Sequence, residues 1–193
     1  MTKYVLLVLI VFAISCKQKT IQSSSIDKDR AAKIIEFSNP ETSPFNAEEI
    51  KEMGTLKFFE ADEKYKVKAT LHRVPDLPFF EMPHSNNVTR SYQKFGEITF
   101  DLNGKNFTLP VYSNEQFKKE HDLFFPFHDL TNVKETYGGG RFMDLKYTDS
   151  SDVIEVDFNL CYHPYCAHSH RFHCPIVQKE SSMEIEIKAG EKL

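Results

Sequence analysis

Ile98-Thr99-Phe100-Asp101-Leu102-Asn103-Gly104-Lys105-Asn106-Phe107-Thr108-Leu109 is the stretch that decides the fold. Asn-Gly suits a two-residue type I′ turn, because both central residues must take positive φ. Alternating runs flank it on each side, and their register checks itself. A two-residue loop sets Phe100 opposite Phe107 and Ile98 opposite Leu109, with Thr99 opposite Thr108 on the other face. One apolar and one polar face make a half-buried antiparallel hairpin.

Outward from the hairpin, further runs rich in aromatic and β-branched residues predict strands. They are Leu56–Phe59, Tyr65–Val74, Leu123–Phe127, Phe142–Tyr147, Val153–Leu160 and Met183–Ile187. Residues 75–90 contain three prolines and predict a long loop; 113–120 predicts a helical turn. Phe142–Tyr147 and Val153–Leu160 are expected to pair as a hairpin through the polar turn Thr148–Asp152. Ahead of the strands, Ile26, Arg30, Ile34 and Phe37 share one helical face, and Asn39-Pro40 ends that helix. Asn46 and Glu49 have capping-box spacing, with Gly54 as the stop, so 47–53 predicts a second short helix. The expected fold is mainly β (α+β): a single antiparallel β-barrel or sandwich-like domain with two short N-terminal helices.

The N-terminus reads as an export signal. Lys3 precedes an apolar run, Val5–Ala13, too short for a bilayer core that needs roughly 20 residues. Ala13-Ile14-Ser15-Cys16 then resembles a lipobox, although a larger aliphatic is commoner where Ala13 stands. On this reading residues 1–15 are a signal peptide and Cys16 is acylated, palmitate being one such chain. Residues 16–25 form a flexible tether, and 26–193 make one globular domain in the cell envelope, held to a membrane by its lipid. The alternative is an ordinary cleavable signal with an incidental cysteine.

Seventeen Phe and eight Tyr supply a core without any Trp. A net charge of −4 with both signs interspersed gives no electrostatic footprint for nucleic acid. Export leaves Cys161, Cys166 and Cys174 where disulfides persist, and their odd number leaves at least one unpaired within the domain.

Most chemistry-bearing residues fall between Leu123 and Cys174. Gly138-Gly139-Gly140-Arg141 joins three of the seven glycines to a guanidinium. Such a loop can aim backbone amides at an anion while the arginine supplies a bidentate charge. It equally suits a bulged turn before a strand, and no Gly-Lys-Ser/Thr follows to make a P-loop. In Val153–Leu160, Ile154, Val156, Phe158 and Leu160 alternate with Glu155, Asp157 and Asn159, with Cys161 continuing the polar side. That polar side lines a cavity or faces water. The stretch Cys161–Cys174 concentrates four of eight histidines and three of four cysteines. Zinc favours such ligands, with Cys166, His168, His170 and Cys174 as the set, but the spacing fits no standard zinc motif. A Cys166–Cys174 disulfide is the favoured reading, and no cofactor is expected.

Residues 123–193 resemble the bacterial and archaeal family catalogued as domain of unknown function 1684. LFFPFHDLT, ETYGGGRFMDL, VDFNLCYHPYCA, the HCP step and IKAGEKL carry the resemblance; GTLKFFEADEKYKVKAT and FDLNGKNFTLPVY match more loosely. The resemblance implies a compact domain with no assigned activity. Its pattern includes Phe127, Asp129, Thr131, Glu135, Thr136, Tyr137, Gly139, Gly140, Arg141, Asp157, Asn159, Pro164, Cys166 and Cys174. This chain departs from it at Cys161, where Ala is commoner, and at His163, where Asn is usual. His168 and His170 also lie outside it, which counts against a shared metal site.

Three functions follow as expectations. The first is a small or extended ligand bound by Asp129, Thr131, Glu135, Tyr137, Gly139, Gly140, Arg141, Asp157 and Asn159. The second is an envelope hydrolase with Glu135 or Asp157 as general base. The third is a non-catalytic structural or assembly role, in which the polar set is a buried hydrogen-bond network.

Overall fold

The structure, a computed structural model, describes residues 12–193 except Asp76, and side chains from Ser25 onward except Gln116. Most of the expected leader, and the Cys16 side chain, lie outside the described residues. Among those described, no helix is long and apolar enough to cross a membrane.

The Asn103-Gly104 hairpin forms in the expected register: Phe100 faces Phe107, Ile98 faces Leu109, and Thr99 faces Thr108. Ile98 and Phe100 are buried, and the Thr99 and Thr108 hydroxyls meet at 3.1 Å on the other face. Its strands, β4 (Thr89–Leu102) and β5 (Lys105–Ser113), are the middle of the barrel. β2 (Lys66–Arg73) and then β8 (Val153–Asp157) lie beyond β4; β6 (Asp122–Phe127) and then β7 (Arg141–Lys146) lie beyond β5. Every pairing is antiparallel. Where β4 crosses β2, a Cβ on Gly96 would stand 2.3 Å from the His72 carbonyl oxygen, so only glycine allows the approach.

Phe142–Tyr147 and Val153–Leu160 do not form the expected hairpin. β7 and β8 are the two ends of the sheet, each paired to another strand. They meet across the closure. After β8 the chain makes a 3-10 turn, Phe158–Leu160, and Tyr162 exchanges both backbone hydrogen bonds with Phe142, at 2.9 and 3.0 Å. That seam nearly closes the barrel around Ile98, Phe100, Phe125, Phe127, Val156 and Phe158. β6 is buried on both faces, because Phe124 packs outside the barrel with Tyr92, Tyr112 and Phe142. Its sequence accordingly shows no polar alternation.

Three further expectations are corrected. Residues 75–90 contain a strand, β3 (Phe80–Pro83), paired to the start of β4. Asn86 and Asn87 adopt φ of 60° and 58° and turn the chain, while Pro83 is tolerated on an edge strand. Met183–Ile187 is not a strand. It keeps the alternation, with Met183 and Ile187 buried, but runs beside the irregular segment His128–Leu130 and makes no regular ladder. The third concerns β8, where the 3-10 turn ends the strand at Asp157 and reverses the phase: Leu160 is exposed and Cys161 is buried.

The first helix, α1 (Phe12–Ser38), is longer than the expected Ile26–Phe37 and runs through residues read as a tether. No glycine or proline interrupts it before Pro40, and its lysines and glutamines are good helix formers. α2 (Ala47–Met53) has the expected capping box, and Gly54 ends it at φ 65°. Helical turn α3 (Glu115–Glu120) also forms as expected. Phe37, Phe45 and Leu56 dock α1 and α2 onto Tyr165, His168 and Phe172. A short pairing of β1 (Lys57–Phe58) with β9 (Glu191–Lys192) then ties the C-terminal segment to this side.

Candidate functional site

The glycine triplet delivers Arg141 to the interior. Gly140 sits at φ 92°, and a Cβ there would meet the Phe127 carbonyl oxygen and the Val177 side chain, both at 2.7 Å. The loop therefore presses onto the barrel, and the Arg141 side chain is fully buried. Its guanidinium pairs with Asp129 at 2.6 Å, bonds the Ile187 carbonyl at 2.7 Å and the Ala189 carbonyl, and stacks 5.4 Å from the Phe127 ring centre.

Asp129 organises the loop ahead of it. Its other oxygen accepts from Thr131 N–H at 2.7 Å, and Asp129 N–H donates to Asn132 at 2.7 Å. The Thr131 and Thr136 hydroxyls meet at 2.9 Å, and Asn132 reaches the Tyr137 carbonyl at 2.8 Å. The polar set of this loop is a buried clamp on residues 187–191.

The other expected site residues are dispersed. The Asp157 carboxylate accepts from Asn159 N–H at 3.0 Å. The Asn159 amide holds both backbone groups of Asp62 at 3.0 Å, pinning the loop before β2. Glu135 forms a part-exposed ion pair with Lys188 at 3.2 Å. Gly139 is exposed. Glu135 and Asp157 thus serve different loops and converge on no shared reacting position.

A second polar centre lies under α1, where sequence reasoning placed no site. Lys33 projects from α1 toward the C-terminal segment. Its ammonium pairs with buried Glu191 at 2.5 Å and lies 4.5 Å from the Tyr162 ring centre. Glu191 also accepts from His163 N–H at 2.7 Å. His163 Nε2 accepts from Tyr137 N–H at 3.3 Å, and burial, with Arg141, His168 and Lys33 nearby, lowers its pKa to about 3. The imidazole is therefore neutral at ordinary pH. Lys33 stands between Arg30 and Phe37 on the buried stripe of α1. A cation in such a stripe, with an apolar stem and a charged tip, was the available signal for a buried acidic partner.

Among the described residues, the group of potential metal-binding side chains whose ligand atoms lie within 4.8 Å of one another is His163, His168 and Glu191. Lys33 already neutralises that carboxylate, and Arg141 adds a second nearby positive charge. The expected zinc alternative of Cys166, His168, His170 and Cys174 is not assembled, and His170 is exposed.

The expected Cys166–Cys174 disulfide is also corrected: both are free thiols, held in hydrogen-bond contact. Cys166 N–H donates to Cys174 Sγ at 3.2 Å, and the Tyr137 hydroxyl stands 4.0 Å from Cys166 Sγ. Hydrogen bonds from Cys174 and Tyr137 bring the Cys166 thiol down to about 7 despite its burial. Cys161 differs: full burial pushes it up to about 11, an inert core thiol.

On the outer side of Lys33, a cleft of about 560 Å³ opens between α1 and the barrel seam. Phe37, Phe142, Tyr162 and Tyr165 supply its rings; Asp29, Glu36 and Asp144 supply carboxylates; Cys174 lies in its wall. The Tyr162 hydroxyl donates to Asp144 at 2.9 Å.

A nearly closed antiparallel barrel, sealed by a non-strand seam and buttressed by a buried arginine clamp, defines the class. The chain belongs to the family described as Protein of unknown function (DUF1684), whose model matches residues 51–192. It is similar to an uncharacterised protein of Haloarcula marismortui solved by solution NMR, with 30% identity and a TM-score of 0.69. That match covers 92% of this chain and 97% of the other. No curated protein matches.

Proposed function

We propose that this protein is a lipid-anchored envelope protein whose barrel binds a small organic cation in the cleft between α1 and the seam. The observation that carries this reading is the cleft's lining of four aromatic rings and three carboxylates, with Lys33 the one cation and already neutralised by Glu191. Ring faces attract cations, and the excess of carboxylates selects against anions. The size suits a small molecule. The Arg141 clamp takes the supporting role, holding the C-terminal segment that carries Glu191.

Phenethylamine and phenylacetate share an aromatic body and differ in the sign of their charge. Phenethylamine is expected to perturb backbone NMR signals of α1 and of 142–144 and 162–165, and phenylacetate to leave them unmoved. Ala32→Trp, which fills the cleft from the exposed side of α1, should abolish the response while leaving the melting temperature unchanged. Equal responses to both probes, or a response that survives Ala32→Trp, would sink the reading.

The anchor has its own test. Cys16→Ser is expected to move the protein from the membrane to the soluble fraction and to end fatty-acid labelling. Unchanged membrane partition would remove the lipid from the proposal.

A further inference from the structure

We propose that Cys166 and Cys174 form a redox-active dithiol that exchanges with small disulfide substrates. The inference does not rest on the binding of an amine in the cleft beneath α1.

Three observations carry it. First, the sulfurs are held together by backbone anchored on both sides. Cys166 lies in the 3-10 turn Tyr165–Ala167, and its N–H donates to Cys174 Sγ at 3.2 Å. Cys174 is fixed by Ser85, whose hydroxyl accepts from its N–H at 3.2 Å and whose N–H donates to its carbonyl at 3.0 Å. Second, the two thiols differ. The Tyr137 hydroxyl points at Cys166, 4.0 Å from its sulfur, so Cys166 is the thiol placed to act as thiolate. Third, both are part-exposed and Cys174 lines the cleft, whereas Cys161 is only 1% exposed in the core.

The chemistry balances as two exchange steps. Cys166 thiolate attacks one sulfur of a substrate disulfide. The substrate S–S bond breaks, its outer half leaves as a thiolate, and a mixed disulfide forms on Cys166. The leaving thiolate takes the Cys174 proton. Cys174 then attacks Cys166 Sγ, the mixed disulfide breaks, and the second half leaves as a thiolate, taking from water the proton that Cys166 released on ionising. Two protein thiols are oxidised and one substrate disulfide is reduced to two thiols.

Oxidised glutathione is the probe, applied to the reduced full chain. The wild type should lose two thiols and give a linked Cys166–Cys174 peptide by non-reducing mass spectrometry, with no lasting adduct. Cys174→Ser should trap one glutathionyl group on Cys166, and Cys166→Ser should react many-fold more slowly. Tyr137→Phe should slow the first step several-fold while leaving the melting temperature unchanged, which a packing role alone would not produce. An unreactive dithiol, a bond that glutathione mixtures cannot shift in either direction, or an adduct in Cys174→Ser at a residue other than Cys166 would each overturn the proposal. Amine binding is read separately by NMR, so either proposal can fail alone.

Discussion

Arg141→Ala is expected to lose about 3–5 kcal/mol of stability, the usual cost of breaking a buried ion pair by removing one partner. The reason is geometric. One guanidinium bonds a carboxylate and the carbonyls of Ile187 and Ala189, all away from water. Truncation leaves Asp129 as a buried charge and several carbonyls without donors. Arg141→Lys should rescue little, because a single ammonium cannot reach acceptors that lie in several directions. Asp129→Asn should also be strongly destabilising, since both carboxylate oxygens accept, the amide nitrogen would face a donor, and the buried guanidinium would lose its counter-ion. For a domain of this size the Arg141→Ala midpoint should fall by roughly 10 °C, measured by thermal melting with urea titration as a check. A melting curve within ~2 °C of wild type would show that the clamp carries no stability.

The same residue shows where reading the sequence stopped. A glycine run followed by an arginine is a local pattern, and it was legible. Whether the arginine points outward to an anion or inward to a carboxylate depends on what packs over it. Here that is residues 187–191, distant in sequence, which meet the guanidinium through the Ile187 and Ala189 backbone carbonyls, groups that no sequence pattern distinguishes. The β4–β5 hairpin was legible down to its pairs because turn and register are fixed within a dozen residues. Strand partners joined over longer spans were not. Nothing in Val153–Asp157 favours β2 over β7, and closing the barrel decided it. The alternation through Asp157 and Asn159 misled for a related reason: the 3-10 turn breaks the two-residue period, and both side chains cap backbone groups. Cys166 and Cys174 were legible as neighbours. Their hydrogen-bonded thiol state, with Tyr137 beside one sulfur, required the loop around Gly138 to be placed against them.

His163 gives the prediction with the clearest pH signature. In the unfolded chain this imidazole titrates near its ordinary 6.5, whereas in the fold it is held down to about 3. Between those values the unfolded chain binds a proton that the folded chain refuses, so lowering the pH favours unfolding. Stability from keeping His163 neutral is complete above pH 6.5 and drains away as the pH falls toward 3. Full loss would amount to at most about 4–5 kcal/mol, and about 2–3 kcal/mol of it should disappear by pH 4.5. Two other histidines, His84 and His168, are also shifted down by burial and add to the same trend. The Glu49 carboxylate, held at about 2 by Arg171 and Ser169, loses its contribution only at lower pH, as it is protonated. His163→Asn isolates the one group. An asparagine oxygen can accept from Tyr137 N–H in place of Nε2, and it does not titrate. Urea midpoints of wild type and variant should nearly coincide at pH 7.5 and separate progressively below pH 6.5, with the variant the more stable. The difference between the two curves cancels the remaining histidines and carboxylates, so parallel curves from pH 7.5 to 4.5 would show that His163 is solvated in the fold. A variant that tracks wild type at pH 7.5 and outlasts it in acid would establish that the contact between α1 and the seam buries a neutral imidazole beside Glu191, with Lys33 supplying the compensating charge.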